Sequence, residues 1–166
     1  MAKVLQPGGN PPPMDDYLHL RRLRAGESCC VRICSPQIWH YWSHYDGKSR
    51  PCPGARCTCK GSVATRKREW HGVLHVFDPG KRKEYFLEIT SHCWVLLQDQ
   101  LPECDSLRGL RVTFTRSPGA NNGRLRATLD AVAKLEVDLP ASRDPNRTFE
   151  VLWKRQDDID PLSLTA

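Results

Sequence analysis

Three cysteines lie close together in the stretch HYWSHYDGKSRPCPGARCTCKG, residues 40–61. Cys52, Cys57 and Cys59 have the spacing C-x4-C-x-C, and a Pro-Gly pair bends the chain after the first of them. Three thiolates at this spacing can converge on one ion, and zinc takes four Cys or His ligands in a tetrahedron. The pattern therefore predicts a Zn²⁺ site in this stretch.

The fourth ligand must come from outside the cysteine group. We expect it to be His44, eight residues before Cys52, with His40 and then Cys34 as alternatives. Four protein ligands leave no open position for water, so the predicted site is structural rather than catalytic. Metal binding would also fold a loop that has too little aliphatic content to form a core of its own.

Aromatic and basic residues alternate around this cluster. Proteins that bind single-stranded nucleic acid combine rings that stack on bases with cations that follow the phosphates. We expect Trp39 and Trp42 to pack against the loop or the core, and Tyr41 and Tyr45 to stack on bases. The other predicted nucleic-acid contacts are Lys48, Arg50, Arg56, Lys67, Arg68, Trp70, Phe77, Tyr85, Arg111, Arg116, Arg124 and Arg126.

The elements that must position these residues follow from hydrophobic alternation and turn signals. Strands are expected at 28–35, 68–78, 82–90, 109–116 and 124–132, and a helix capped by Thr90 or Ser91 at 92–101. Five strands with one helix between the third and fourth have the order of an oligonucleotide/oligosaccharide-binding (OB) barrel. The fold class is thus predicted to be mainly β: a five-stranded OB barrel, a zinc loop between strands 1 and 2, and a C-terminal helix. A plain α+β meander of the same elements is the alternative.

The chain divides by composition into four predicted parts. The proline-rich arm spans 1–16, and the barrel domain with its zinc loop at 40–61 spans 17–139. Residues 140–156 form a helix beginning at Asp144-Pro145, with an extended TFEVLW strand as the alternative. The last part, 157–166, is an acidic mobile tail.

Composition limits the class of protein. A length of 166 residues fits one domain with tails, and no window has the roughly 18 apolar residues of a membrane helix. The start lacks the order of a secretion signal, so we expect a cytoplasmic protein whose eight cysteines favour metal over disulfides. The net charge of +6 favours a polyanionic partner.

These motifs together resemble a known family. LRAGESCCVRICSP, then HYDGKSRPCPGARCTC, then a basic hairpin are similar to the zinc-containing single-stranded-DNA-binding proteins of bacteriophages and related mobile elements. The resemblance covers about residues 17–132. It implies zinc on His44, Cys52, Cys57 and Cys59 and a role in coating single strands during replication or recombination. The metal loops of that family more often end in C-x-x-C, whereas this chain has C-x-C.

Two other classes of function compete with this one. A metal-dependent nuclease could use His71 and His75, which share a strand face, but no cluster of carboxylates accompanies them and no nucleophile-base pair is evident. An adaptor could use the zinc loop to dock on a protein of a larger nucleoprotein complex. We therefore predict a non-catalytic protein that binds single-stranded nucleic acid, DNA before RNA. Protein partners at the C-terminal segment and a homo-oligomer are further expected associations.

Overall fold

The computed structural model describes residues 17–45, 49–52, 68–101, 103, 105–119, 123–131 and 138–153. In this part of the chain there are eight strands and two helices. They are β1 (Leu20–Arg21), β2 (Ser28–Ile33), β3 (Trp39–Tyr45), β4 (Ser49–Pro51), β5 (Glu69–Asp78), β6 (Lys83–Thr90), α1 (Ser91–Gln98), β7 (Arg111–Arg116), β8 (Leu125–Ala131) and α2 (Asn146–Trp153). Among the described helices, none has the length and apolar character needed to cross a membrane.

The strands form one mixed sheet in the order β1-β6-β5-β2-β7-β8. Only the β1–β6 pair is parallel. β2 and β3 pair with the same edge of β5. β2 pairs with the C-terminal end of β5, and β3 pairs with its N-terminal end. β3 also pairs with β4. The sheet is open, because no pairing within the described ranges joins β8 back to β6. The mainly β class is confirmed.

Most of the predicted elements are present with small changes at their ends. β5 and β6 form the expected hairpin, and the Asp78 carboxylate accepts a hydrogen bond from the Lys81 N–H at 3.1 Å in its turn. Thr90 caps α1 by accepting from the Cys93 N–H at 3.3 Å. β7 and β8 form the second hairpin. In α2 the Asp144 carboxylate accepts from the Asn146 N–H at 2.9 Å, which confirms the helix over the strand alternative.

The expectation that 40–61 lacks core residues is wrong for its first part. β3 places Tyr41 and Ser43 inside, at 4% and 5% exposure, and leaves Trp42 46% exposed. Alternating aromatic residues favour a strand, and a ring buries at least as much surface as an aliphatic side chain. The prediction counted only aliphatic residues and therefore missed β3 and β4. The arm at 1–16, the loop at 53–67 and the tail after 153 lie outside the described residues.

Apolar side chains pack on both faces of the central strands. One face carries the larger cluster, in which Leu74 of β5, Leu87 of β6 and Phe114 of β7 meet Leu97 of α1. A smaller cluster lies on the opposite face and contains Tyr41, Val73, Phe86 and Phe149, with Leu18, Leu20 and Trp39 against it. The middle residues of β5 and β6 are therefore buried on both faces.

Hydrogen bonds attach the C-terminal segment to the sheet. The His75 ring is fully buried, and its Nδ1 accepts from the Arg143 N–H at 3.2 Å while Nε2 donates to Glu84 at 2.9 Å. The Arg108 guanidinium donates to the carbonyls of Leu139 at 3.2 Å and Pro140 at 2.8 Å. These bonds hold the chain that leads into α2.

A side-chain amide covers part of the outer edge of β8. Gln100, just after α1, donates from Nε2 to the Ala127 carbonyl at 2.9 Å. Its Oε1 accepts from the Leu129 N–H at 3.0 Å. The amide thus satisfies one donor and one acceptor of β8 in the way that a neighbouring strand would.

Gly72 of β5 lies where the neighbouring side chains leave no room for a Cβ atom. A Cβ there would lie 2.5 Å from Ile38 Cδ1 and 2.7 Å from Trp70 Cη2. We expect Gly72→Ala to lower the free energy of unfolding by about 1–3 kcal/mol, measured by urea denaturation, because overpacking forces neighbours to move. In the control, Gly80→Ala meets only Asp78 Oδ1 at 3.4 Å and should change stability by less than about 0.5 kcal/mol. Equal losses would contradict this assignment.

His75 should make the fold less stable in acid. Burial lowers the pKa of His75, and the charges of Arg143 and Arg108 add to this, while the Glu84 carboxylate opposes it. The unfolded chain therefore takes up a proton near pH 6.5, before the folded protein does, so stability is lost as the pH falls through the folded-state pKa.

Urea denaturation from pH 8 to pH 5 tests this with two variants. The stability advantage of the wild type over His75→Gln should be largest above about pH 6.5 and shrink below it. His92→Gln removes an exposed histidine from α1 and should leave the pH dependence as it is. Parallel curves for the wild type and His75→Gln would refute the role of His75.

Candidate functional site

An open groove of about 1400 Å³ runs along β1, the turn between β5 and β6, and the exposed side of β6. Arg116, at the end of β7, and Leu152 of α2 also line it. Six cations belong to the lining: Arg21, Arg22, Arg24, Lys81, Lys83 and Arg116. The basic run LRRLRAG contains β1, and β1 pairs in parallel with β6. Because β6 directly follows the basic turn, this pairing brings the cations of the run and of the turn together.

Six cations against four carboxylates leave the groove an excess of two positive charges. Three of the cations are paired: Arg21 with Glu27, Arg22 with Glu88 and Lys81 with Asp78. Glu27 accepts from the Arg24 N–H at 2.9 Å, a bond that lowers the pKa of Glu27, and it lies 3.7 Å from Arg21. Glu84 bonds to His75, and Glu88 lies in a buried network described below. The side chains of Lys83 and Arg24 have no ion pair within the described residues. The groove therefore keeps a positive excess that can attract an anion.

Tyr85 lies at the bottom of this groove but has no free face. It is 8% exposed, and the Arg21 guanidinium lies over its ring at 5.4 Å from the centroid while donating to its hydroxyl at 3.3 Å. Burial raises the pKa of Tyr85, so the hydroxyl stays neutral. Tyr85 is predicted as a nucleic-acid contact, but its ring offers no face on which a base could stack. Tyr85 instead positions a cation of the groove.

Tyr41 is also misassigned as a stacking residue. Its ring lies parallel to the His71 ring at 4.9 Å, and the edge of Phe149 approaches it at 5.3 Å. Its hydroxyl donates to Glu88 at 2.6 Å. At 4% exposure Tyr41 belongs to the core, because β3 turns it toward the smaller apolar cluster.

The exposed aromatic surface lies on the other side of β3. Trp42 is paired directly with Trp70 of β5, and the His40 ring stacks on Trp70 at 6.0 Å with an interplanar angle of 22°. Trp42 is thus exposed and does not pack in the core, whereas Trp39 meets Phe86 edge-on as expected. The alternative that Trp42 packs against the loop at 53–67 lies outside the described residues. Trp70 and Phe77 are half-buried.

The predicted basic contacts do not form a single surface. Of those with described side chains, Arg116 lines the groove, whereas Arg68, Arg111, Arg124 and Arg126 are exposed elsewhere. Arg111 donates to the Cys30 thiol at 3.2 Å on the β2–β7 face. The side chains of Tyr45, Lys48, Arg50, Arg56 and Lys67 lie outside the described residues.

The predicted zinc ligands fall mostly outside the described part as well. This holds for Cys57, Cys59 and the side chain of His44, and within the described residues no group of three potential ligands is present. Cys52 is described: it is half-buried, and its N–H donates to the Trp42 carbonyl at 2.7 Å. The alternative ligand Cys34 is fully buried, and burial raises its pKa to about 12, which disfavours the thiolate that zinc binds.

A buried polar network joins three neighbouring strands. The Ser43 hydroxyl of β3 lies 2.7 Å from His71 Nε2, and His71 Nδ1 lies 2.9 Å from Glu88 Oε1 of β6. The other oxygen, Glu88 Oε2, accepts from the Tyr41 hydroxyl and from Arg22 Nε at 2.9 Å. Burial raises the pKa of Glu88, but the His71 bond, the Arg22 charge and the Tyr41 bond outweigh it and hold the pKa below its usual value.

Sequence reasoning did not bring these three residues together, and the structure joins Ser43, His71 and Glu88 by hydrogen bonds. His71 and Glu88 could have been placed together from the predicted hairpin, since Val73 pairs with Glu88 and the diagonal neighbour of a strand residue is within reach. Ser43 could not, because β3 was not predicted. His71 and His75 bond to different carboxylates, so they do not converge on a common metal as the nuclease alternative requires.

Comparisons with models of protein families, with curated proteins and with solved structures gave no match. The chemistry of the site therefore rests on the residues of this chain alone.

Proposed function

We propose that this protein binds single-stranded nucleic acid, with DNA as the first candidate, and that the cationic groove holds its phosphates. The observation that carries the proposal is the groove itself, where six cations outnumber four carboxylates and the side chains of Lys83 and Arg24 have no ion pair within the described residues. The groove is long and open, which suits a chain of phosphates better than one small anion. The net charge of +6 supports the same partner.

The connectivity supports an OB barrel as the finer fold. β2 and β3 together act as one long first strand, β5 and β6 follow as a hairpin, and α1 separates them from the β7–β8 hairpin. β2 is antiparallel to both β5 and β7, as the first strand of an OB barrel must be. In that class, ligands bind on the second and third strands. Here Phe149 of α2 packs on the outer face of those strands, so we place the phosphates along the edge of β6 instead.

The exposed rings supply a surface for bases. Trp42, with Trp70 and His40 behind it, offers a face of the kind on which an unpaired base stacks, worth roughly 1–3 kcal/mol per base. We propose the zinc site at His44, Cys52, Cys57 and Cys59 beside these rings. The Cys52 N–H bond to Trp42 supports this, because it fixes the first cysteine against β3.

Binding to a labelled oligo-dT at increasing salt tests the function. The logarithm of affinity should fall with the logarithm of salt by about 0.7 for each phosphate contact, and Lys83→Glu/Arg24→Glu should reduce this slope and weaken binding about tenfold or more. Arg124→Glu/Arg126→Glu makes the same change of charge outside the groove and should retain affinity. A larger loss in that second variant would place the strand on the β7–β8 hairpin. No affinity at low salt would favour the adaptor alternative.

Metal analysis of the purified protein tests the zinc site independently. We expect a single zinc ion per chain, lost in Cys52→Ser and Cys57→Ser and kept in Cys30→Ser, whose thiol lies on the β2–β7 face. Removing the metal with a chelator should lower the melting temperature, because metal binding contributes folding free energy. Protein expressed with ample zinc but purified without it would contradict the proposed ligands.

A further inference from the structure

The Ser43-His71-Glu88 network has the arrangement of an activated nucleophile. The carboxylate of Glu88 can only accept, so His71 Nδ1 carries the proton of that 2.9 Å bond. In the neutral ring Nε2 is then an acceptor, and it receives the Ser43 hydroxyl proton at 2.7 Å. A hydroxyl bonded to a base, with the base oriented by a third group, is the geometric mark of a nucleophilic serine.

The carboxylate at the end of this network is held firmly. Arg22 and Tyr41 both bond to Glu88 Oε2, which leaves Oε1 directed at His71. The Tyr41 ring lies flat against the imidazole at 4.9 Å and restricts its rotation. Glu88 and Tyr41 are therefore positioning residues, whose contacts fix the tautomer and the plane of His71.

The network borders the groove. His71 and Glu88 line it, and Ser43, 5% exposed, is paired across β3 and β5 with Glu69, which is exposed and also lines the groove. This end of the groove contains Glu69, His71 and Glu88, and Arg22 there is bonded to Glu88. Two carboxylates beside one paired cation give no excess of positive charge, so we expect a small uncharged substrate.

We propose that Ser43 and His71 form a catalytic pair for acyl transfer from small uncharged esters, an activity that does not rest on nucleic-acid binding. Ser43 Oγ bonds to the ester carbonyl carbon while its proton passes to His71 Nε2. The bond from that carbon to the leaving oxygen then breaks, and His71 returns the proton to the departing alcohol. Water attacks the acyl-serine with His71 as base, which releases the carboxylic acid and restores the serine.

Covalent capture by a fluorophosphonate probe tests the nucleophile directly. Ser43 Oγ would bond to phosphorus and fluoride would leave, which intact-protein and peptide mass spectrometry of the full chain would detect. We expect an adduct on Ser43, none on Ser43→Ala, and a labelling rate about 100-fold lower in His71→Gln. Ser91→Ala removes an exposed serine at the start of α1 and should label like the wild type. Circular dichroism confirms that each variant is folded.

Hydrolysis of nitrophenyl esters tests the substrate class. The uncharged acetate ester should be cleaved at least as fast as the monoester of succinate, which keeps one carboxylate, and Ser43→Ala should abolish both reactions. The proposal is overturned if the folded wild type forms no adduct on Ser43. It is equally overturned if labelling of Ser43 proceeds at the same rate in His71→Gln, since the serine would then have no base.

Discussion

The segments around β6 depend on one constraint, the buried carboxylate of Glu88. An ionised carboxylate away from water is costly unless bonded charges and donors replace the lost hydration. Arg22, Tyr41 and His71 supply these bonds, and they come from the segment after β1, from β3 and from β5. A single charge on β6 thus joins segments from three other parts of the chain. Removing any one partner would leave part of that charge uncompensated.

This arrangement also decides where a ligand can bind. β5 and β6 are covered on one face by the main core and α1, and on the other by Trp39, Tyr41 and Phe149. What stays open is the edge of β6, beyond the two residues that pair with β1. The cations gather along this edge because the same basic segment that provides Arg22 for Glu88 also provides Arg21 and Arg24. Core stability and surface charge are therefore linked through one short piece of sequence.

The regular parts of the fold could be predicted from the sequence, and the site only in part. Alternation and turn residues predicted β5, β6, β7 and β8, and the capping residue Thr90 predicted the start of α1. The pattern in WHYWSHY was missed because its buried positions are tyrosine and serine, which a count of aliphatic residues ignores. Missing β3 led to two errors: Tyr41 was placed at the surface, and Ser43 was not considered. The groove could not be foreseen at all, because it depends on the parallel pairing of a two-residue strand.

The amide of Gln100 has a consequence for how copies of this protein can associate. A strand at the margin of an open sheet can add a strand from another molecule and so begin a continuous stack. Here the margin of β8 is already occupied at its Ala127 carbonyl and Leu129 N–H by a side chain of the same molecule. A second copy would have to displace that amide before its backbone could bond there. One glutamine after α1 thus opposes the addition of a strand at this part of β8.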